Sequence, residues 1–166
     1  MKKSLALLSL ALACSTRIAL GQLTFEAHLS GLAETSPNAS PATGFGQIVL
    51  NPAQTQITVD ENWSGLTAPA TASHIHGPAT TSQNAGVLFG FSGVPAATSG
   101  SIPTQVFNVT AAQVSDLLNG LWYFNIHTST YPGGEIRGQV YLVPEPGTLA
   151  LMGLGLAAGF WRLRRG

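Results

Sequence analysis

Side chains alternate with a period of two at the start of the chain's central region. Leu23, Phe25, Ala27 and Leu29 fall on one face, and Thr24, Glu26, His28 and Ser30 on the other. A half-buried β-strand requires this alternation, because successive strand side chains point to opposite sides of a sheet. Runs of similar character follow at Gly44 to Leu50, Gln56 to Trp63, Ala72 to His76, Gly86 to Phe91, Thr104 to Thr110, Leu121 to His127 and Glu135 to Leu142, parted by Gly, Pro, Asn and Ser. Short strands at this spacing predict an all-β sandwich or barrel. One short helix interrupts them. Thr110 and Gln113 form a capping box, Val114, Leu117 and Leu118 recur at helical spacing and Gly120 offers a stop, so the helix is expected over Ala111 to Asn119.

The two ends read as addresses rather than as parts of that fold. Residues 1–21 combine Lys2 and Lys3, an apolar run from Leu5 to Ala13 and small residues at Ala19 and Gly21, the three regions of a secretory signal helix. Sec export and signal peptidase are the implied partners, with cleavage after Gly21 preferred to cleavage after Ala13. The only cysteine, Cys14, leaves with that segment, so packing and hydrogen bonds must hold the domain without disulfides. At the other end, residues 144–166 carry Pro144, Glu145 and Pro146, an apolar stretch from Thr148 to Trp161, and a basic cluster of Arg162, Arg164 and Arg165. At about 1.5 Å per helical residue that stretch reaches about 20 Å against a hydrocarbon core of roughly 30 Å. It is expected to be a membrane helix that spans with help from its flanks, with the arginines cytoplasmic and everything before Pro144 outside.

Between these ends lies a single domain, residues 22–143. Six carboxylates (Glu26, Glu34, Asp60, Glu61, Asp116 and Glu135) face one basic residue, Arg137. A nucleic-acid partner is excluded on that balance, because phosphate binding needs several cations. Arg137 is expected to form a structural ion pair, with Glu135 on the same strand face or with Asp60 or Glu61. Trp63 and Trp122 are read as core. No Gly-x-Ser-x-Gly elbow, phosphate loop or cysteine pair is present, so no catalytic residue is assigned.

The chemistry concentrates on histidine. His74 and His76 are two apart on a strand and therefore share a face, with Ile75 turned to the core. Asn125 and His127 share a face of another strand in the same way. Three imidazoles from His74, His76 and His127 suit copper or zinc, with water completing the shell. The competing reading has these histidines hydrogen-bonded to backbone at the mouth of the fold, holding two turns in place. His28, beside Glu26 on an outer face, is read as solvated.

Two resemblances add to this. The order Pro-Glu-Pro, short apolar helix, terminal basic cluster resembles the PEP-CTERM signal read by exosortases in bacteria that make extracellular polysaccharide. It implies an exosortase-like processing enzyme, membrane anchoring before processing and then a cell-surface or extracellular location, with extracellular polysaccharide a candidate partner. The segments Ala72-Ser73-His74-Ile75-His76-Gly77-Pro78-Ala79 and Tyr123-Phe124-Asn125-Ile126-His127-Thr128, the latter continuing through Gly133-Gly134-Glu135-Ile136-Arg137-Gly138-Gln139, are similar to the signature of chordin-type (CHRD) domains. That likeness extends over nearly all of Leu23 to Val143 and implies an immunoglobulin-like or superoxide-dismutase-like β-sandwich, without implying a catalytic role. The copper site of copper/zinc superoxide dismutase also uses a His-x-His strand. With four histidines and no disulfide cysteines in this domain, dismutase activity is not expected. The function expected is that of a non-enzymatic binding or structural module at the cell surface, the alternative being a copper or zinc protein built on the three histidines.

Overall fold

The computed structural model describes residues 21–144, so the signal helix, Glu145, Pro146 and the membrane helix with its arginines lie outside the described residues. Among the described residues no helix is long and apolar enough to cross a membrane.

Ten strands form the domain: β1 (Leu23–Ser30), β2 (Thr43–Leu50), β3 (Gln56–Ser64), β4 (Ala70–His76), β5 (Val87–Gly90), β6 (Gly100–Ser101), β7 (Gln105–Asn108), β8 (Tyr123–Thr128), β9 (Ile136–Gln139) and β10 (Tyr141–Leu142). A 3-10 turn, Gly31–Ala33, follows β1, and α1 (Ala111–Leu118) lies between β7 and β8. The helix starts where the capping box places it. Thr110 Oγ1 accepts from Gln113 N at 3.3 Å while Thr110 N donates back to Gln113 Oε1 at 2.9 Å, which satisfies two amides left free by a helix start. Gly120, at φ 68°, ends it.

The expected strand over Glu135 to Leu142 is two strands, because the chain changes partner. β9 pairs with β8 from Tyr123↔Gln139 to Ile126↔Ile136, whereas β10 pairs with β1 at Phe25↔Leu142. Between them Val140 is fully buried, with its N–H donated to Trp122 O at 2.9 Å.

All ten strands belong to one sheet in the order β5-β4-β8-β9-β1-β2-β3-β6, with β10 on β1 and β7 on β3. The two layers are halves of that one sheet, curled until its ends face each other. Phe89 of β5 meets Phe107 of β7 at 4.9 Å between ring centroids, and Ser73 of β4 reaches Glu61 of β3. The layers approach so closely that a Cβ on Gly46 would stand 2.7 Å from the Phe124 ring. Phe25, Ile48, Leu50, Ile57, Val59, Ile75, Phe124 and Ile126 fill the space between them at 0 % exposure. Each side chain so buried stabilises the fold by about 1.5–3 kcal/mol. Trp63 and Trp122 are core residues, as expected.

Candidate metal centre

Antiparallel pairing of β4 with β8 builds the site. The register sets His74 opposite Asn125, His76 opposite Tyr123 and Ala72 opposite His127. Residues two apart share a face, and paired residues on neighbouring strands share it too. His74, His76, Tyr123, Asn125 and His127 therefore all project from the side opposite Ile75, Phe124 and Ile126.

One nitrogen from each of His74, His76 and His127 lies within 4.8 Å of the other two. The ring centroids stand 5.1 Å (His74 to His127), 5.4 Å (His74 to His76) and 6.0 Å (His76 to His127) apart. His74 Nδ1, His76 Nε2 and His127 Nε2 are each buried without a hydrogen-bond partner among the described residues. A buried polar atom left unpaired costs about 1–3 kcal/mol, so three of them side by side form a donor set that lacks an acceptor of its lone pairs.

Backbone carbonyls decide which nitrogen is bare in two of the rings. His76 Nδ1 bonds Ala85 O at 3.0 Å and His127 Nδ1 bonds Pro132 O at 3.0 Å. A carbonyl only accepts, so in both rings the proton sits on Nδ1 and the lone pair on Nε2. Carbonyl partners of this kind orient metal-ligating imidazoles. Burial, with smaller contributions from the charges of His127 and His76, pushes His74 down to about 4. His76 is also lowered, mainly by burial and against the pull of its carbonyl bond. Both rings are therefore neutral near pH 7, the state in which imidazole binds a metal. Three ligands at about 2.1 Å from a shared ion in tetrahedral geometry stand about 3.4 Å apart, so closing a trio that now lies within 4.8 Å takes on the order of an ångström of ring movement. Three imidazole nitrogens without thiolate or carboxylate match Zn(II) or Cu(II) and leave a position open for water.

Tyr123 and Arg137 support this face from the side. The Tyr123 ring stacks on His76 at 5.0 Å and 5°, and the guanidinium of Arg137, on β9, lies 3.5 Å from the Tyr123 ring centroid. Arg137 is 1 % exposed and donates to Thr80 O (3.0 Å), Gln83 O (3.0 Å), Asn84 Oδ1 (3.1 Å) and Gln139 Oε1 (3.3 Å). It thereby fastens the connection between β4 and β5, which supplies the Ala85 carbonyl to His76.

The Glu135 to Arg137 pair expected from the sequence is replaced by these contacts. Glu135, fully buried, instead accepts from Ser40 Oγ (2.7 Å), Thr67 N (2.7 Å), Thr67 Oγ1 (3.0 Å) and Thr128 Oγ1 (2.6 Å). Those four donors hold its carboxyl below the usual range despite burial, which alone would raise it. The acid is satisfied by hydroxyls and an amide, and the base by carbonyls. Neither Asp60 nor Glu61 takes the guanidinium: Asp60 accepts from Thr104 Oγ1 and Glu61 from Ser73 Oγ. His28 is exposed and lies against Phe45 of β2, apart from the trio.

Tyr123 was open to discovery in the sequence, since it alternates with Asn125 and His127. The carbonyls of Ala85 and Pro132 were not, because every residue carries one.

A family model described as CHRD domain matches residues 25–140, and one described as PEP-CTERM protein-sorting motif matches residues 142–165. No curated protein and no solved structure matches the chain.

Proposed function

The chain belongs to the CHRD-domain family and carries a PEP-CTERM sorting motif, and from that premise we propose that it is a non-enzymatic binding module whose ligand is a zinc or copper ion held by His74, His76 and His127. The sorting motif makes it an exported protein, anchored in the membrane before processing and recognised by an exosortase-type system. The division proposed is a signal segment at 1–21, the domain at 22–143 and the sorting segment at 144–166, with the processed domain at the cell surface or outside the cell.

The observation that carries the metal reading is the set of three unpartnered, buried imidazole nitrogens on one sheet face. The carbonyl bonds to His76 and His127 support it further, because they leave the lone pairs pointing away from the bonded side. Those same two bonds also favour a second reading, in which the histidines latch the turns at Ala85 and Pro132 and hold no ion.

Metal analysis separates the two. Full-length protein is loaded with Zn(II) or Cu(II), dialysed and measured by mass spectrometry beside the His74→Ala, His76→Ala double variant. One ion per wild-type chain and none in the variant is the expected result. Equal metal content in both would leave only the latching role.

A further inference from the structure

Beside the histidine face a second concavity is not used by the trio. It is a cleft of about 350 Å³ between the segment after the 3-10 turn, the connection at Asn84, and the hairpin joining β8 to β9. Its walls include Glu34, Thr35, Asn38, Asn84, Thr130 and Tyr131. They carry one carboxyl, three hydroxyls, two amides and one aromatic ring, and no cationic side chain. The Asn38 amide is spent on Glu135 O and Ser40 N, and Asn84 Oδ1 accepts from Thr35 and Arg137, which leaves Asn84 Nδ2 and the oxygen lone pairs of Thr35 and Thr130 for a ligand.

The floor of the cleft is shaped in detail. Glu34 Oε1 accepts from Asn125 Nδ2 at 2.6 Å, while its Oε2 accepts no hydrogen bond among the described residues. A Cβ on Gly134, which sits at φ 133°, would stand 2.6 Å from Glu34 Oε1 and 2.5 Å from Asn125 Nδ2. Only glycine leaves room for that carboxyl and amide to meet. Tyr131 is half-buried, and its bonds to Thr128 and Gly134 are all made by its backbone, so its phenol is free of partners among the described residues.

Each ligand class sets a different demand on such a wall. A phosphate or sulfate needs cations or a cluster of free amides, and the one guanidinium nearby is consumed by carbonyls and side-chain amides. A lipid or apolar molecule needs a mainly hydrophobic lining. A molecule dense in hydroxyls needs closely spaced donors and acceptors together with one apolar face to cover its C–H groups. We propose that this cleft binds a neutral saccharide of one or two rings, with Glu34, Thr35, Asn84 and Thr130 engaging its hydroxyls and Tyr131 covering a ring face. The volume lies at the small end of the roughly 300–1,000 Å³ usual for small-molecule sites, which matches a ligand of that size.

The site does not depend on a bound ion, so it is tested with a chelator present and fails or succeeds independently of the metal reading. Full-length protein is titrated calorimetrically with maltose, cellobiose and lactose, each to about 10 mM. Saturable binding of at least one is expected, weakened at least about ten-fold by Tyr131→Ala and about five-fold by Glu34→Gln. The glutamine can still accept from Asn125, but its second polar atom becomes a donor. Where Tyr131→Ala does not fold by circular dichroism, Thr35→Val takes its place with the same expected direction. Glucose 6-phosphate is expected to bind more weakly than the neutral sugars. Absence of saturable binding by all three disaccharides, wild-type affinity in both variants, or tighter binding of the phosphate would each overturn the proposal.

Discussion

Glu61 is the side chain whose surroundings differ most from its chemistry. It alternates with Ile57, Val59 and Trp63 on the inner face of β3 and is 2 % exposed. Ser73 Oγ donates to Oε2 at 2.5 Å, and Oε1 has no partner among the described residues. Burial pushes the carboxyl up to about 8, against the pull of the Ser73 bond. In the unfolded chain it returns to about 4.5. Between these two pH values the unfolded chain has released a proton that the folded chain keeps, so stability falls as pH rises through this window and levels off above about 8. Urea denaturation at several pH values is expected to show this decline in wild type. Glu61→Gln should flatten most of it and raise stability near pH 8 by a few kcal/mol. An unchanged slope in the variant would place the linked proton elsewhere. The alternation Ile57, Val59, Glu61, Trp63 carried the signal for this position, since it sets a carboxyl on the apolar face.

Among the elements, the connection from β4 to β5 matters most to the candidate site. It has no regular structure of its own between Gly77 and Gly86, and Arg137 organises it through the carbonyls of Thr80 and Gln83 and the amide of Asn84. Thr80 and Gln83 are exposed, so water can replace the guanidinium at their carbonyls, and the cost lies in losing hydrogen bonds to a charged group, about 1.5–3 kcal/mol each. Arg137→Met is therefore expected to lower stability by about 3 kcal/mol, read from the urea midpoint. The same variant should speed amide hydrogen exchange over residues 79–86 before exchange in β8 or β9 changes. A loss below about 1 kcal/mol with unaltered exchange would mean that the connection holds without the guanidinium. The strands and the helix were legible to within a few residues, because alternation and capping are local properties. The partition of β9 from β10 was not, since it depends on a change of partner from β8 to β1.

At the level of the whole molecule the domain and its addresses are separable. The sorting motif follows the last strand almost at once, Pro144 standing two residues beyond Leu142. Replacing Pro144, Glu145 and Pro146 with alanine is expected to leave the full-length chain in the membrane fraction, whereas wild type appears in a shorter form outside it. Immunoblots of fractionated cells check this, and normal processing of the variant would remove those three residues from the recognition step. The all-β class, the helix and its cap, the sorting segment and the sharing of one face by His74 and His76 are all legible in residue order. These rest on periodicity and on contiguous motifs, which are short-range and written directly in residue order. The folded chain adds that β4 lies beside β8, which brings His127 to the other two imidazoles across some 50 residues of chain. It alone decided that carbonyls rather than acids hold Arg137, and that a polar cleft opens beside the trio. The physical reason is common to all three: strand partnership and the aim of backbone carbonyls follow from how the sheet curls on itself, and residue identity does not encode either one locally.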